Sequence, residues 1–474
     1  MAKARVQRKQ DHTPGVLEYT LPHLRERTRV PRSDDLADLF DFLRIQSISA
    51  SPEFRGEIVQ AAEFVAAQAE IAGLENVQVV RGAGNPLVCA DWLHAPNKPT
   101  IVLYGHYDVQ PPDPLDEWRS PPFEPSLVDG YLYARGVADD KAFTLALIKA
   151  VARLLLKHGA LPVNVRLLVE GEEESGGDHF ERFLSEERSK WRADAALVCD
   201  VEMYEDLPSV CVGFRGLVAG EVEVRGAAHD LHSGVYGGAG PNAVAALIRI
   251  LSSLKDSNEQ ISIPGFYARV QPPSAAERES WKKLHFDEND FLTKELGAKG
   301  LSGEPEFSVL ERLWCRPALE INGIRGGYAG EGFKSVIPSR ALAKVSIRLV
   351  PDQVPEEAVR QFDAAIQTAC PPYAIASFRA TSTTPPLGLD PANIYVQKAI
   401  ESLRRTFGKE PALVRSGGTV PAVGDMFRYL GIPSVVIGLR RADDSLHAPN
   451  ERLDQAQYEL AITFISEYLT MLGS

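Results

Sequence analysis

Short apolar runs alternate with longer helix-like segments along the first half of the chain. The segments "PTIVLYGHYDV", "VNVRLLVEG" and "ADAALVCD" are rich in branched apolar residues and are typical of buried strands. The segment "KAFTLALIKAVARLLLKHG" is apolar almost all round, which predicts a buried helix that ends at Gly159. Strands that alternate with helices in this way predict an α/β fold with a mainly parallel sheet.

The pattern changes in the middle of the chain, where strand-like and helix-like segments follow one another in the order β-α-β-β-α-β. This order begins at "LVAGEVEVRG", which alternates with period two, and it matches a ferredoxin-like α+β unit. We therefore predict a first domain made of residues 1–213 and 383–474, of which about 1–30 form an N-terminal extension, and a second domain, residues 214–382, inserted into it. The polar segment 274–305 interrupts the second domain and is expected to be a surface excursion.

Length, charge and cysteine usage narrow the class of protein. At 474 residues the chain is too long for one ordinary hydrophobic core, and its net charge of −13 argues against binding to nucleic acid or anionic membranes. No run approaches the ~18 apolar residues of a membrane span, and the basic N-terminus is not followed by the apolar segment of a secretory signal. The five cysteines are scattered and include no CxxC motif, which favours reduced thiols in a cytoplasm. A small-molecule partner and a cytoplasmic location are therefore expected.

The first predicted strand ends in a histidine and an aspartate two residues apart. In extended backbone, residues i and i+2 point to the same side, so His106 and Asp108 can face each other. A metal-bound imidazole usually donates its other N–H to a carboxylate, which fixes the tautomer of the ring. Taken alone, the same two residues could equally be surface groups at a strand-end turn.

Further acidic residues and a histidine follow the other predicted strands. Each has an ordinary alternative: a helix N-cap for "DDK", a solvated charged face for "EEE", a turn former for an aspartate after a strand. Ligand sites in open α/β sheets gather outside the carboxyl ends of the strands, however, so the coincidence of all of them at this edge predicts a metal site. These residues are Asp139, Asp140, Glu170, Glu172, Glu173, Glu174, Asp200 and His447.

The types of ligand indicate which metals suit the site. Two histidines with several carboxylates suit zinc, cobalt or manganese, and one carboxylate can bridge two ions roughly 3.5 to 4 Å apart. No cysteine belongs to this set of residues. An open catalytic site, rather than a closed structural zinc site, is therefore predicted.

Six motifs together resemble the co-catalytic zinc hydrolases of metallopeptidase family 20, which includes carnosinases, other dipeptidases, glutamate carboxypeptidases and aminoacylases. The motifs are "GHYDVQP", "ARGVADDK", "EGEEESG", "DLHSGVYGG", "VIPSRALAKVSIRLVP" and "LHAPNE", and they occur in the family's order across nearly all of the chain beyond the first thirty residues or so. The likeness is greatest to the carnosinase-like dipeptidases, in which the histidine motif of the inserted domain and "SIRLVP" both have counterparts.

This resemblance implies two divalent metal ions per chain, Zn²⁺ in the first instance, with Mn²⁺ or Co²⁺ as alternatives. Asp108 would orient His106, Glu173 would be the general base, and a cis peptide is expected before Asp140. The metal ligands that the resemblance implies are His106 and Asp200 for one ion, Glu174 and His447 for the other, and Asp139 as the bridge between them.

The resemblance also implies roles for residues of the inserted domain. His232 resembles the histidine that reaches the active site of a neighbouring subunit and stabilises the oxyanion, so a homodimer with its active site completed in trans is expected. Arg348 resembles the arginine that holds the substrate carboxylate, a role that suits a guanidinium fork. Its alternative is an ordinary charge on a strand face. An aspartate at position 200, rather than a glutamate, is typical of the peptidases of the family.

Three positions depart from the family pattern. Ala142 stands where the family has glycine after "DDK", and alanine is the better helix former. Ser335 replaces a threonine of the carnosinases, and Thr419 of "GGTVP" replaces the serine of "GGSIP". Both hydroxyls are expected to contact substrate.

The function predicted from sequence is the metal-dependent hydrolysis of dipeptides by water and a glutamate base. The alternative is an N-acyl amino acid deacylase or carboxypeptidase with the same metal centre, against which Asp200 argues mildly. A metal-binding protein without catalysis is a third reading. The presence of Glu173 argues against it, because a degenerate site has no reason to retain the base.

Overall fold

The computed structural model describes residues 35–418 and 420–474 of the chain. Its strands are β1 (Glu75–Val80), β2 (Leu87–Trp92), β3 (Thr100–His106), β4 (Ser126–Val128), β5 (Tyr131–Tyr133), β6 (Asn164–Glu170), β7 (Ala195–Glu202), β8 (Ser209–Phe214), β9 (Gly216–Arg225), β10 (Leu231–His232), β11 (Ala318–Gly326), β12 (Val336–Ile337), β13 (Arg340–Leu349), β14 (Ile375–Thr384), β15 (Leu387–Gly388), β16 (Ala412–Ser416), β17 (Ser434–Arg440) and β18 (Arg452–Asp454). Its α-helices are α1 (Asp35–Leu43), α2 (Arg55–Ile71), α3 (Ala142–His158), α4 (His179–Glu187), α5 (Ser233–Tyr236), α6 (Ala243–Ser252), α7 (Ala275–Lys282), α8 (Glu288–Asp290), α9 (Val309–Trp314), α10 (Pro355–Ala369), α11 (Ile394–Phe407), α12 (Pro421–Asp425) and α13 (Gln455–Gly473).

The described residues divide into two compact units. One consists of the chain up to residue 200 together with residues 442–474, and the other consists of residues 201–441. The predicted domain limits at residues 213 and 382 lie within three residues of the ends of the four long strands of the second unit, which run from residue 216 to residue 384. Those limits stay a prediction.

The first unit contains a mixed sheet whose strands lie in the order β1-β2-β6-β3-β7. Strand β3 is parallel to both of its neighbours, β6 and β7, whereas β1 and β2 pair in antiparallel fashion at the edge. The carboxyl ends of the three parallel strands therefore meet at one edge, where His106 lies opposite Glu170. The α/β class predicted from sequence is confirmed.

Helix α3 lies at the centre of the first unit. Its residues from Ala142 to Val151 are all buried, which agrees with a segment that is apolar almost all round. The helix ends where Gly159 takes a left-handed φ of 71° and donates its N–H to the Leu155 carbonyl, as the sequence predicts. The burial of α3 fixes the position of the segment that precedes it, which carries Asp139 and Asp140.

The second unit contains a four-stranded antiparallel sheet in the order β11-β13-β9-β14. Helices α6 and α10 pack on this sheet and share one apolar core with it, which includes Val222, Leu247, Ile347 and Phe362. The chain order of these elements is β-α-β-β-α-β, so the ferredoxin-like prediction is confirmed. The same unit holds β15, β16 and β17, all of which pair with β8.

The segment 274–305 is exposed over most of its length, as expected of a surface excursion, but Trp281 and Leu284 within it are buried. Among the described residues, no helix combines the length and the apolar character that crossing a bilayer requires.

Candidate metal centre

His106 and Asp108 pair as the alternation along the first predicted strand suggests. Both side chains are fully buried, and His106 Nδ1 lies 3.3 Å from Asp108 Oδ1 and 3.1 Å from the Asp108 carbonyl oxygen. The Nε2 atom of the same ring is left to face the other acidic residues. This is the orientation that a carboxylate gives to a metal-binding imidazole.

Five of the predicted ligand residues form two groups that share one member. In the first group, His106 Nε2 lies 3.3 Å from Asp139 Oδ1 and 3.9 Å from Asp200 Oδ2. In the second, His447 Nε2 lies 3.0 Å from Asp139 Oδ2 and 3.2 Å from Glu174 Oε1. Within each group the candidate ligand atoms all lie within 4.8 Å of one another. Asp139 is the shared member, and each of its two oxygens faces one group.

A short π-helical segment, Val137–Lys141, carries Asp139 between β5 and α3. The peptide bond between Asp139 and Asp140 is cis, as the family resemblance implies. Asp140 itself points away from the two groups and accepts a hydrogen bond of 2.9 Å from Thr144 Oγ1. The same hydroxyl lies 3.0 Å from the His106 carbonyl oxygen, so its single proton is shared between two acceptors and links the Asp140 side chain to the end of β3.

Glu451 holds the backbone around Asp139 and was not predicted as a functional residue. Its fully buried carboxylate accepts the N–H groups of Gly136, Ala138 and Asp139 at 2.8, 2.9 and 3.1 Å. Arg135 completes the arrangement with a buried ion pair of 2.7 Å to the same carboxylate. The only signal in the sequence was the position of Glu451 at the end of the quoted "LHAPNE" motif.

Asp108 and Gln110, two residues that follow β3 in the sequence, hold the backbone and the side chain of Glu174. Its backbone N–H donates to Asp108 Oδ2 at 3.1 Å, and Gln110 Nε2 donates to Glu174 Oε2 at 2.9 Å. Gln110 is a second residue whose contribution sequence reasoning missed. Because Oε2 is engaged by Gln110, the Oε1 atom of Glu174 is the one that faces His447.

The electrostatics of the site reflect several buried carboxylates close together. Burial raises the pKa of Glu173 to about 8, the charge of His106 opposes this rise, and the charges of Asp200 and Glu174 add to it. The adjacent carboxylates of Asp139 and Glu174 raise the pKa of His447 to about 10. For His106, burial favours the neutral ring, but the hydrogen bonds to Asp108 and Asp139 prevail and raise its pKa.

These residues fit a divalent cation. The two groups offer imidazole nitrogens and carboxylate oxygens, which are the donors that Zn²⁺, Mn²⁺ and Co²⁺ accept. Glu174 Oε1 is buried and, among the described residues, accepts no hydrogen bond of good geometry. A bound cation would offset the negative charge of these buried carboxylates and would give Glu174 Oε1 a partner.

The other predicted site residues lie in the second unit. His232 is exposed on β10, opposite Val336 of β12, and its Nδ1 accepts the Gly234 N–H at 3.0 Å. Ser335 directly precedes β12, and its carbonyl oxygen accepts the Ser233 N–H at 3.1 Å, so the segments that carry His232 and Ser335 lie side by side. Arg348 is half-buried on β13. Thr419 lies outside the described residues.

A model of Peptidase family M20/M25/M40 matches residues 102–471, a range that contains all five predicted ligands. The chain belongs to this family.

Relatives of this M20/M25/M40 chain include two dipeptidases. It is 32% identical over 431 residues to the Beta-Ala-His dipeptidase of Homo sapiens, which covers 87% of this chain and 84% of the relative. It is 27% identical over 455 residues to the Cys-Gly metallodipeptidase DUG1 of Saccharomyces cerevisiae, with 90% and 93% covered. The resemblance to metallopeptidase family 20 drawn from the motifs is therefore confirmed.

A solved structure in the same family extends the likeness to the fold. The M20 family metallo-carboxypeptidase Sso-CP2 of Sulfolobus solfataricus matches with a TM-score of 0.78 and 31% sequence identity, over 93% of this chain and 99% of that one. Membership of the M20/M25/M40 family and the two ligand groups together support a peptide-bond hydrolase that uses a divalent metal.

Proposed function

We propose that this chain is a metal-dependent dipeptidase whose active site binds two divalent ions, with zinc as the first choice. The observation that supports this most strongly is the position of Asp139 between two ligand groups, 3.3 Å from His106 Nε2 by one oxygen and 3.0 Å from His447 Nε2 by the other. A carboxylate shared in this way is typical of hydrolases with two metal ions. The bound ions would lower the pKa of water and polarise the substrate carbonyl.

The protein side chains then have separate roles. In the proposal, His106 and Asp200 would hold one ion, Glu174 and His447 would hold the other, and Asp139 would be shared between them. Asp108 orients His106, with which it forms the contact of 3.3 Å. Glu173 accepts the proton of the attacking water and returns it to the leaving amine, which is the chemistry of a general base that becomes a general acid.

Dipeptides are the proposed substrates because two relatives over most of the chain are named for the dipeptides Beta-Ala-His and Cys-Gly. The likeness to a metallo-carboxypeptidase, with a TM-score of 0.78, supports carboxypeptidase activity on longer chains as a second candidate. A panel of dipeptides, longer peptides, and N-acetyl and N-carbamoyl amino acids, assayed with Zn²⁺, Mn²⁺ and Co²⁺ in turn, tests both. Hydrolysis restricted to dipeptides supports the first proposal, and release of C-terminal residues from longer peptides at equal rates contradicts it.

Arg348 is proposed to bind the free carboxylate of the substrate. No carboxylate of the described residues forms an ion pair with its half-buried guanidinium, which is therefore available to an anionic ligand. Ser335 and Thr419 are proposed to contact the substrate through their hydroxyl groups.

The variant Arg348→Ala is expected to lower kcat/KM for a dipeptide about tenfold to a hundredfold, because charge-assisted hydrogen bonds contribute roughly 1.5 to 3 kcal/mol. The measurement compares the dipeptide with its C-terminal amide, which lacks the charge. Arg340→Ala, an exposed arginine on the same strand, is the matched control. An equal loss for the dipeptide and its amide would contradict the assignment.

A homodimer formed through the second unit is also proposed. Strand β11 is an edge strand of the four-stranded sheet, and its Ile321 and Ile324 are 47% and 55% exposed. Helix α6 exposes Ile248 to a similar degree, 55%. An uncovered edge strand with apolar side chains favours pairing with a second copy, and two-fold symmetry is the commonest arrangement. His232 is proposed to complete the active site of the partner in this dimer.

A cytoplasmic location is proposed as well. All five cysteines are free thiols, and four of them are buried. Unpaired cysteines are typical of proteins in reducing compartments.

A further inference from the structure

Residues of the surface excursion 274–305 pack against β16, the strand that leads into the loop with the predicted substrate contact Thr419. Trp281 of α7 and Leu310 of α9 form a buried apolar cluster with Ala412 of β16. Trp281 also contacts Trp314 edge to face, with ring centroids 5.3 Å apart. The segment around α7 and α9 therefore packs against β16, although much of it is exposed.

A single carboxylate connects the start of α7 to β16. One oxygen of Glu277 accepts hydrogen bonds from the Ser274 N–H at 2.8 Å and the Ser274 hydroxyl at 2.9 Å, which forms the capping box of the helix. The other oxygen accepts hydrogen bonds from both Nε and Nη2 of Arg415, the former at 3.0 Å. The two side chains are only 12% and 19% exposed, so water screens this ion pair weakly.

Strand β16 needs this support because it has a strand neighbour on one side only. It pairs with β8, and among the described residues no strand pairs with its other edge. The excursion supplies partners there, since Trp281 Nε1 donates to the Leu413 carbonyl oxygen at 3.2 Å and Glu277 binds Arg415. Side chains of α7 thus contact β16 at the edge that does not pair with β8: Trp281 binds its backbone and Glu277 binds its Arg415 side chain.

The residues after Arg415 form the loop in which substrate contacts are proposed. The Gly418 N–H donates to Ser416 Oγ at 3.0 Å. A Cβ added at Gly417 would lie 2.8 Å from Nη2 of Arg215, so the end of that long side chain would have to shift to accommodate a larger residue. The loop begins directly after Arg415, so a shift of Arg415 would be passed on to Ser416 and Gly417.

We propose that Glu277 is a positioning residue for the loop residues 416–418, which it holds in place through Arg415 and which directly precede the proposed substrate contact Thr419. This inference rests on the proposed function, because it assumes that the loop contacts the substrate. It assigns a role in substrate binding to the excursion, whose own residues belong to neither ligand group of the metal centre.

The test uses Glu277→Gln, since glutamine retains an oxygen for the capping box but loses the charge that binds Arg415. We expect KM for a dipeptide to rise about tenfold while kcat stays within about twofold, because the metal centre is unchanged. Arg415→Lys, which retains the positive charge without the fork, should raise KM in the same direction. Glu279→Gln is the matched control, because Glu279 is exposed on the same helix and, among the residues that the structure describes, forms an ion pair with Lys282 alone.

Hydrogen exchange gives a second readout that does not depend on activity. Amides of residues 412–420 should exchange faster in Glu277→Gln than in the wild type, whereas those of β17 should not change. Faster exchange without a change in KM would show that the loop does not bind substrate, which overturns the inference even if the wild type hydrolyses dipeptides. Unchanged exchange and unchanged KM would overturn it too, as would an equal rise in KM for Glu279→Gln. Failure of the wild type on the whole substrate panel would instead contradict the proposed function.

Discussion

Glu173→Gln is expected to lower kcat by about 10²- to 10⁴-fold while both metal ions stay bound, because the amide is nearly isosteric with the acid but cannot accept a proton from water. Glu173 directly precedes the proposed ligand Glu174, and the charges of His106, Asp200 and Asp139 all act on its carboxylate. This environment suits proton transfer at the centre. Single-turnover rates with a dipeptide, measured after reconstitution with Zn²⁺, give the loss in the chemical step directly.

Two controls distinguish the loss of the general base from a loss of bound metal or of the folded active site. Elemental analysis should approach two equivalents of metal in both the wild type and Glu173→Gln. Glu186→Gln makes the same substitution at an exposed position of α4 and should leave turnover unchanged. A variant with full metal content and near-normal rates would mean that another residue is the base, and a stoichiometry of one in the wild type would contradict the two-ion mechanism.

His232→Ala is expected to reduce turnover about 10²- to 10³-fold, the usual cost of removing a donor that stabilises an oxyanion. If His232 acts in the partner's active site, two inactive variants should complement each other. A mixed dimer of His232→Ala and Glu173→Gln contains one site with both an intact Glu173 and an intact His232. At equal mixing half of the dimers are mixed, so activity should recover towards about a quarter of the wild-type value.

The exchange of subunits must be shown independently, for example by native mass spectrometry of subunits that differ in mass. No recovery after demonstrated exchange would assign His232 to its own chain's site or remove it from catalysis. His229→Ala, three residues earlier and exposed, is the control and should retain full activity without complementation.

The elements that could be predicted from the sequence are those whose pattern follows directly from their surroundings. Strands β3 and β7 are buried on both faces over most of their length, so they are largely apolar, and the first ten residues of α3 are apolar on nearly all sides because they are all buried. Strands β9 and β13 of the second unit face a core on one side and alternate between buried and less buried positions with period two. The ligand residues follow from the rule that parallel strands deliver their ends to one edge.

Other features could not be predicted because their cause is not local. Helix α2 carries alanines on both its buried and its more exposed faces, which weakens the periodic signal of an amphipathic helix. The role of Glu451 depends on a contact with a segment more than 300 residues earlier, and Glu277 likewise contacts Arg415 across 138 residues. A glutamate that accepts three backbone N–H groups looks the same in the sequence as one on a solvated face.

The order of synthesis constrains when the centre can acquire its metals. His447 follows Asp139 by 308 residues, and Glu451 follows it by 312. At translation rates of roughly 5 to 20 residues per second, a nascent chain therefore carries Asp139 for about 15 to 60 s before the second histidine and the glutamate that holds the aspartate's backbone exist. All residues of the first ligand group are synthesised well before His447, so the first group can form on the nascent chain, whereas the second group must wait for His447.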